Sequence, residues 1–236
     1  MKWISIVYSL ILFAIVQFSF AQNVGLDNNS YQLINAIESM NTGKQQSIAS
    51  FIKHQPRQVK GSYYVFDNWD NKGFIYGSEG SKFKISNINV NIKDNFFEAR
   101  INQDSIFKFD AHSIDYFLIN NRKFKNVYIE KYQQDKICEV VLEDENFTIY
   151  KVYKSELRVN NPDPLMLKPN TNEFIVSSRY FIKKGENLEK FKLNKKYILN
   201  LFPENKEALE TYVKENKLSY ARDENLKMIY FKSKTL

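Results

Sequence analysis

The chain of 236 residues has one cysteine, two histidines and seven glycines. Each scarcity removes a class of chemistry. A lone cysteine, Cys138, forms no internal disulfide, so the fold has no covalent staple. It reads as a small hydrophobe in a strand, with an intermolecular disulfide as the alternative. Two histidines, His54 and His112, cannot build a His-rich zinc site, and no H-E-x-x-H occurs. There is also no G-x-S-x-G for a serine nucleophile and no phosphate-cradling P-loop. A glycosidase needs only two carboxylates, but nothing marks one pair among the 27 acidic residues. The sequence therefore singles out no catalytic, cofactor-binding or metal-binding residue, and no cofactor is expected.

Long apolar runs are scarce too, with one exception at the N-terminus. Lys2 supplies a positive start and Ile4 to Val16 is largely apolar. Ser19 and Ala21 then put small residues at the third and first positions before a cut ahead of Gln22. Residues 1–21 are expected to be a cleaved secretory signal. That directs the protein to the periplasm or the extracellular space and leaves no transmembrane span. The alternative is an uncleaved anchor, because Trp3 to Ala21 nearly reaches spanning length.

What remains is aromatic and basic: 19 Phe, 15 Tyr and a net charge of +7. Residues 22–60 are expected to be a linker carrying one short helix. Ser30 reads as its N-cap, Leu33, Ile34, Ile37 and Met40 as its apolar face, and Gly43 as its stop, which gives a helix over Tyr31 to Asn41. Residues 61–193 alternate aromatic or β-branched residues with polar ones between short turns, as antiparallel strands do. Tyr63 to Phe66 is one candidate strand. A parity switch at Ser86-Asn87 reads as a bulge, and Glu143 to Asn146 as a hairpin turn. The stretch from Asn160 to Asn172, with Pro162, Pro164 and Pro169, reads as a loop. Residues 194–236 turn helical and carry most of the basic excess. Tyr197, Ile198, Leu201 and Phe202 form one apolar face, Leu209, Tyr212 and Val213 a second. Leu226, Ile229 and Tyr230 form a third, with Asp223 as its N-cap. The fold class that follows is α+β: an antiparallel, strongly curved β-meander with a short N-terminal helix and two or three C-terminal helices packed on the sheet.

The layout resembles a set of exported proteins of unknown function from Bacteroidota. The matching residues are Ala21-Gln22, Gly61-Ser62-Tyr63-Tyr64, Trp69 and Gly73. They continue through Asn95-Phe96-Phe97-Glu98, Asp104-Ser105-Ile106-Phe107 and the tail Tyr212 to Leu218. The resemblance covers most of the chain after residue 21 and implies export, with no activity to carry over.

Three constellations remain. Asn68 to Glu79 resembles a calcium-binding EF-hand loop, with Asn68, Asp70 and Glu79 as ligands and Gly73 at the sharp turn. Lys72 stands where an oxygen ligand is needed and strands flank the stretch, so a glycine-bearing hairpin turn is the expectation. Asp110, His112 and Asp115 form a carboxylate–histidine cluster, expected as a surface turn. Lys195, Lys196, Lys206, Lys214, Lys217, Arg222 and Lys227 could meet an anionic surface. Glu204, Glu207 and Glu210 interleave with them and favour a solvated helix face. The expected function is that of a non-catalytic binding or structural module. Its partner would be an envelope protein, a glycan or an anionic surface; nucleic acid is not expected. The alternatives are a hydrolase acting on an envelope polymer through a carboxylate pair, or a lipid carrier.

Overall fold

A computed structural model describes residues 49–53, 59–77, 80–102, 105–159 and 172–236. The signal segment, the helix expected over Tyr31 to Asn41, His54, Ser78 and Glu79 lie outside those residues.

The described chain forms two sheets and three helices. The first strand, β1 (Ala49–Lys53), precedes a two-residue strand, β2 (Lys60–Gly61). A hairpin follows, made of β3 (Lys72–Gly77) and β4 (Lys82–Ser86). The chain then builds β5 (Ile88–Asn91), β6 (Phe96–Arg100) and β7 (Ser105–Phe109). Next come β8 (Ile114–Ile119), β9 (Arg122–Ile129), β10 (Gln134–Glu143), β11 (Thr148–Arg158), β12 (Glu173–Lys184) and β13 (Asn187–Phe191). Strands β1-β7-β6-β5 make a four-stranded sheet. The others make a nine-stranded sheet in the order β13-β12-β11-β10-β9-β8-β3-β4, with β2 beside β12. Neither sheet closes on itself. The helices are α1 (Lys195–Leu199), α2 (Lys206–Glu215) and α3 (Asp223–Ser233). None of the described helices is long and apolar enough to cross a membrane.

The antiparallel sheet and the C-terminal helices agree with the sequence pattern. The simple meander does not. Between β4 and β8 the chain leaves the large sheet to build β5, β6 and β7, then returns to pair β8 with β3. One pair is parallel, β2 with β12, and it joins strands far apart in sequence. The parity switch at Ser86-Asn87 is not a bulge but the crossing between the sheets. Asn87 has φ 54°, a left-handed conformation that asparagine tolerates. It re-aims the chain so that Ile85 and Ile88 enter the same core from opposite walls.

Tyr63 to Phe66 also departs from expectation. It runs along the free edge of β5, with Val65 N–H donating to Val90 C=O at 3.0 Å and Ile92 N–H donating to Tyr63 C=O at 2.9 Å. Only an isolated bridge forms, between Tyr64 and Asn91. The reason is Asn89, whose side-chain amide occupies the next rung. It accepts from Phe66 N–H at 3.1 Å and donates to Phe66 C=O at 2.9 Å.

Turn chemistry sets the hairpins. Asn120 and Asn121 both have positive φ, 48° and 62°, as a tight two-residue connection between twisted strands requires. The turn after Glu143 forms where expected: Asp144 accepts from the Asn146 N–H at 3.0 Å.

Two apolar cores lie on one face of the nine-stranded sheet. At one end the four-stranded sheet packs onto it through Phe97, Phe107 and Phe109 against Ile75, Phe117 and Phe124. Phe97 and Phe117 stack at 3.7 Å. At the other end the helices contribute Ile198, Leu209, Val213, Leu226 and Ile229 against Val141, Ile149 and Ile182. Burying such side chains contributes roughly 1.5–3 kcal/mol each. That lets three short helices persist that would be marginal alone. On α1 the buried pair is Ile198 and Leu199, while Tyr197 points outward. Asp223 is not the N-cap of α3 but its first residue, and its carboxylate is held by the sheet instead.

Candidate binding face

Strand register fixes which side chains share a face. One row crosses the sheet as Phe83, Ile75, Phe117, Phe124, Glu139, Lys151, Tyr180 and Phe191. This row lies under the two cores, and its polar middle marks the seam between them. The adjacent row, on the opposite face, runs Lys84, Phe74, Leu118, Lys123, Val140, Tyr150, Phe181 and Lys190. No described helix or second sheet packs on this side, which we call the open face. Its buried apolar patch (Ile129, Cys138, Val140, Tyr150, Val152 and Phe181) comes from the sheet itself, with Tyr132 from the turn after β9 packed against it.

At the β3–β8 end of the open face, Tyr76 and Tyr116 sit opposite each other and stack at 4.2 Å with planes 15° apart. Lys82 lies over Phe74 at 4.2 Å and over Tyr76 at 5.2 Å. Lys123 lies over Tyr116 at 4.8 Å. The result is a ladder in which ring faces are taken by a neighbouring ring or by an ammonium group. Rings hold lysine head groups in this way through the quadrupole of the π system. What the ladder presents outward is ring edges, hydroxyls and fixed positive charge. Glu143 tempers it, since its carboxylate receives Lys123 at 2.5 Å and stands 4.0 Å from Lys125. Burial, the largest influence, raises the Tyr116 pKa above the ordinary tyrosine value, so its hydroxyl stays neutral.

The seam on the covered face is built differently. Arg122 donates from Nε to Glu139 Oε1 at 2.8 Å and from Nη2 to Oε2 at 2.7 Å, a two-pronged pair. Tyr153 Oη donates to the same carboxylate at 2.5 Å, and Arg122 also touches the Tyr153 hydroxyl. The guanidinium lies over Phe66 at 4.8 Å and Phe124 at 5.3 Å. Burial, the largest single influence, opposes the Arg122 charge, but the Glu139 hydrogen bond and charge, with the charges of Tyr153 and Asp223, together outweigh it and the pKa rises. Burial first, then the Glu139 charge, pushes the Tyr153 hydroxyl far above its ordinary value. Beside them Lys151 donates to Asp223 at 2.7 Å. These groups neutralise and lock one another, which suits a brace between two cores better than a reacting centre.

A second buried carboxylate, Glu98, lies on the outer side of the four-stranded sheet. It accepts from Tyr64 Oη at 2.7 Å and Asn91 Nδ2 at 2.8 Å, with Lys108 Nζ at 3.7 Å.

The constellations read from sequence resolve as follows. Gly73 is not at a turn, because Lys72–Gly77 is a strand. A Cβ on Gly73 would come 1.9 Å from the Leu118 carbonyl oxygen, so glycine is needed for close strand approach. With Lys72–Gly77 extended, the later part of the stretch cannot wrap back around an ion at Asn68 and Asp70 as an EF-hand loop does. Asn71 instead bonds Asn68 C=O at 2.7 Å and receives Asn120 Nδ2 at 2.7 Å. His112 bonds Asp110 at 2.8 Å and Asp135 at 3.1 Å. Asp115, on exposed β8 positions, does not join them. Asp135 is 23 residues away in sequence, and no local spacing pointed to it. Among the described residues, no group of three His, Cys, Asp or Glu could hold a metal ion. Cys138 is fully buried in β10, and burial pushes its thiol up to about 12. An intermolecular disulfide there is out of reach. In the tail, Lys195 pairs with Glu210 at 2.8 Å and Lys234 with Asp144 at 2.7 Å, as interleaved charges on a solvated face would.

Comparison with protein-family models, with curated proteins and with solved structures yields no match. The geometry alone carries the functional argument.

Proposed function

We propose that the protein is an exported, non-catalytic binding module of the cell envelope or extracellular space. Its open sheet face would meet an anionic partner. The observation that carries this reading is the ladder of Phe74, Tyr76 and Tyr116 with Lys82 and Lys123. Rings that pre-position ammonium groups lower the entropy lost when those groups engage an anion. The occupied ring faces favour charge recognition over stacking on a neutral sugar. Export rests on the composition of residues 1–21 and makes an envelope glycan or anionic surface a more accessible partner than nucleic acid. The hydrolase alternative is disfavoured because the buried carboxylates Glu98 and Glu139 are each held by several donors.

The test uses protein beginning at Gln22, passed over immobilised envelope fractions at low and high salt. Retention that weakens with salt and drops in a K82Q/K123Q variant is the expected result. No retention, together with cleavage of an envelope glycan by the same preparation, would overturn the reading in favour of a hydrolase.

A further inference from the structure

At the far end of the open face, a cavity of about 280 Å³ is lined by Ile129, Glu130, Lys131, Phe181, Leu188 and Lys190. We propose that it is a binding site for an anionic amphiphile: a phosphate or carboxylate head group on the lysines, with a short apolar chain on Phe181 and Leu188. This goes beyond the envelope-binding reading and does not depend on the aromatic–lysine ladder.

Two cations, Lys131 and Lys190, line the apolar floor, and register places Arg179 and Lys183 beside it on the same face. Arg179, Phe181 and Lys183 alternate along β12 on the open face, while Leu188 and Lys190 of β13 stand opposite Lys183 and Phe181. Lys131 reaches the same cavity from the turn after β9. Among the described residues no carboxylate lies within ion-pair distance of Lys131 or Lys190, while Glu156 on the same face feels the charge of Arg179. The acid on β13, Glu189, pairs with Ile182 and so lies on the covered face. Glu130 at the rim is the single acid in the lining. Lys131 and Lys190 line the same cavity. The Lys190 side chain first, then burial and the charges of Lys190 and Arg179, lowers the Lys131 pKa. Two ammonium groups on one cavity, with Glu130 the single acid of the lining, are relieved by an anion between them. Beneath them the floor is apolar: Ile129 and Phe181 are almost wholly buried, and Tyr132 meets the Phe181 ring edge-on at 6.2 Å. A simple anion would leave that floor unused, while a neutral chain would leave the cations unpaired. An amphiphile satisfies both, each added CH₂ strengthening binding until the cavity is filled.

Isothermal titration of the protein from Gln22 with monomeric decyl phosphate, inorganic phosphate and a neutral decyl glycoside tests the assignment. Decyl phosphate is expected to bind at one site, roughly tenfold or more tighter than either of the others. K131Q/K190Q should weaken decyl phosphate by about tenfold. L188N, at a half-buried position, should weaken decyl phosphate while leaving inorganic phosphate unchanged. K82Q/K123Q should leave all three unchanged, which separates this site from the ladder. Flotation with phosphatidylglycerol vesicles distinguishes a head group taken from a bilayer from a free amphiphile. Binding to either source, lost in K131Q/K190Q, supports the site. Equal affinity for decyl and inorganic phosphate, or undiminished binding in K131Q/K190Q, would overturn it.

Discussion

Lys151 of β11 and Asp223 of α3 lie 2.7 Å apart, and each side chain is less than one-fifth exposed. This pair ties the last helix to the middle of the large sheet. Removing one partner strands a half-buried charge. Asp223→Asn is expected to cost about 1–3 kcal/mol in urea unfolding. Replacing both, as in K151M/D223L, should recover most of that loss. A double variant no more stable than Asp223→Asn would show that the pair is not what the helix relies on.

Glu139 should matter more, because it accepts from both Arg122 and Tyr153. Glu139→Gln leaves the Arg122 guanidinium without its charge partner under Phe66. We expect a loss of about 2–4 kcal/mol, read from the denaturation midpoint. Tyr153→Phe removes one donor and should cost about 1 kcal/mol.

Asp144 gives stability a pH dependence. The hydrogen bond from Lys234 first, then the Asn146 N–H, lowers its carboxyl to about 2. A depressed folded value means the contribution is present above the unfolded value of about 3.9 and fades as pH falls toward about 2. Thermal melts of wild type and Asp144→Asn should differ by roughly 2–4 °C at pH 6 and converge near pH 2. A constant gap across that range would refute the assignment.

His112 titrates in the other direction. Hydrogen bonds to Asp110 and then Asp135 raise its pKa above 6.5. A raised folded value means its stabilising contribution is complete below about 6.5 and is lost as pH rises through the folded value. An NMR titration should find its midpoint above that of a free histidine, and Asp110→Asn should bring it down. An unshifted midpoint in the wild type would show that the two carboxylates do not hold the ring in solution.

The parts of this structure legible in the sequence are those set by local pattern. Alternation announced antiparallel strands between residues 61 and 193, and Glu143 to Asn146 announced its turn. Helical spacing placed Leu209, Val213, Leu226 and Ile229 correctly against the sheet. Two things were hidden. One is partnership over distance: the sequence shows that Ile85 and Ile88 differ in parity, but a bulge and a change of sheet look alike until the partners of β4 and β5 are known. The other is the meaning of a residue whose role depends on a neighbour. Gly73 signals a turn by composition, yet its role is to let Leu118 come close. His112 pairs with Asp135 rather than Asp115 because successive strands carry Asp135 to it. The open-face ladder was equally invisible, since Tyr76 and Tyr116 are forty residues apart and become neighbours only through the return of β8 to β3.

The left-handed Asn87 has a kinetic consequence. Strands β8 to β11 follow one another through short turns, so each can zip onto its predecessor with little loop entropy to overcome. The β3–β4 hairpin joins them only across the excursion through β5, β6 and β7, which must first collapse to bring β3 within reach of β8. The large sheet is therefore expected to assemble in two stages. In pulsed hydrogen exchange during refolding, amides of β9 to β11 should gain protection before those of β3. Substituting Asn87 with a β-branched residue, which resists positive φ, should slow the second stage and leave the first untouched.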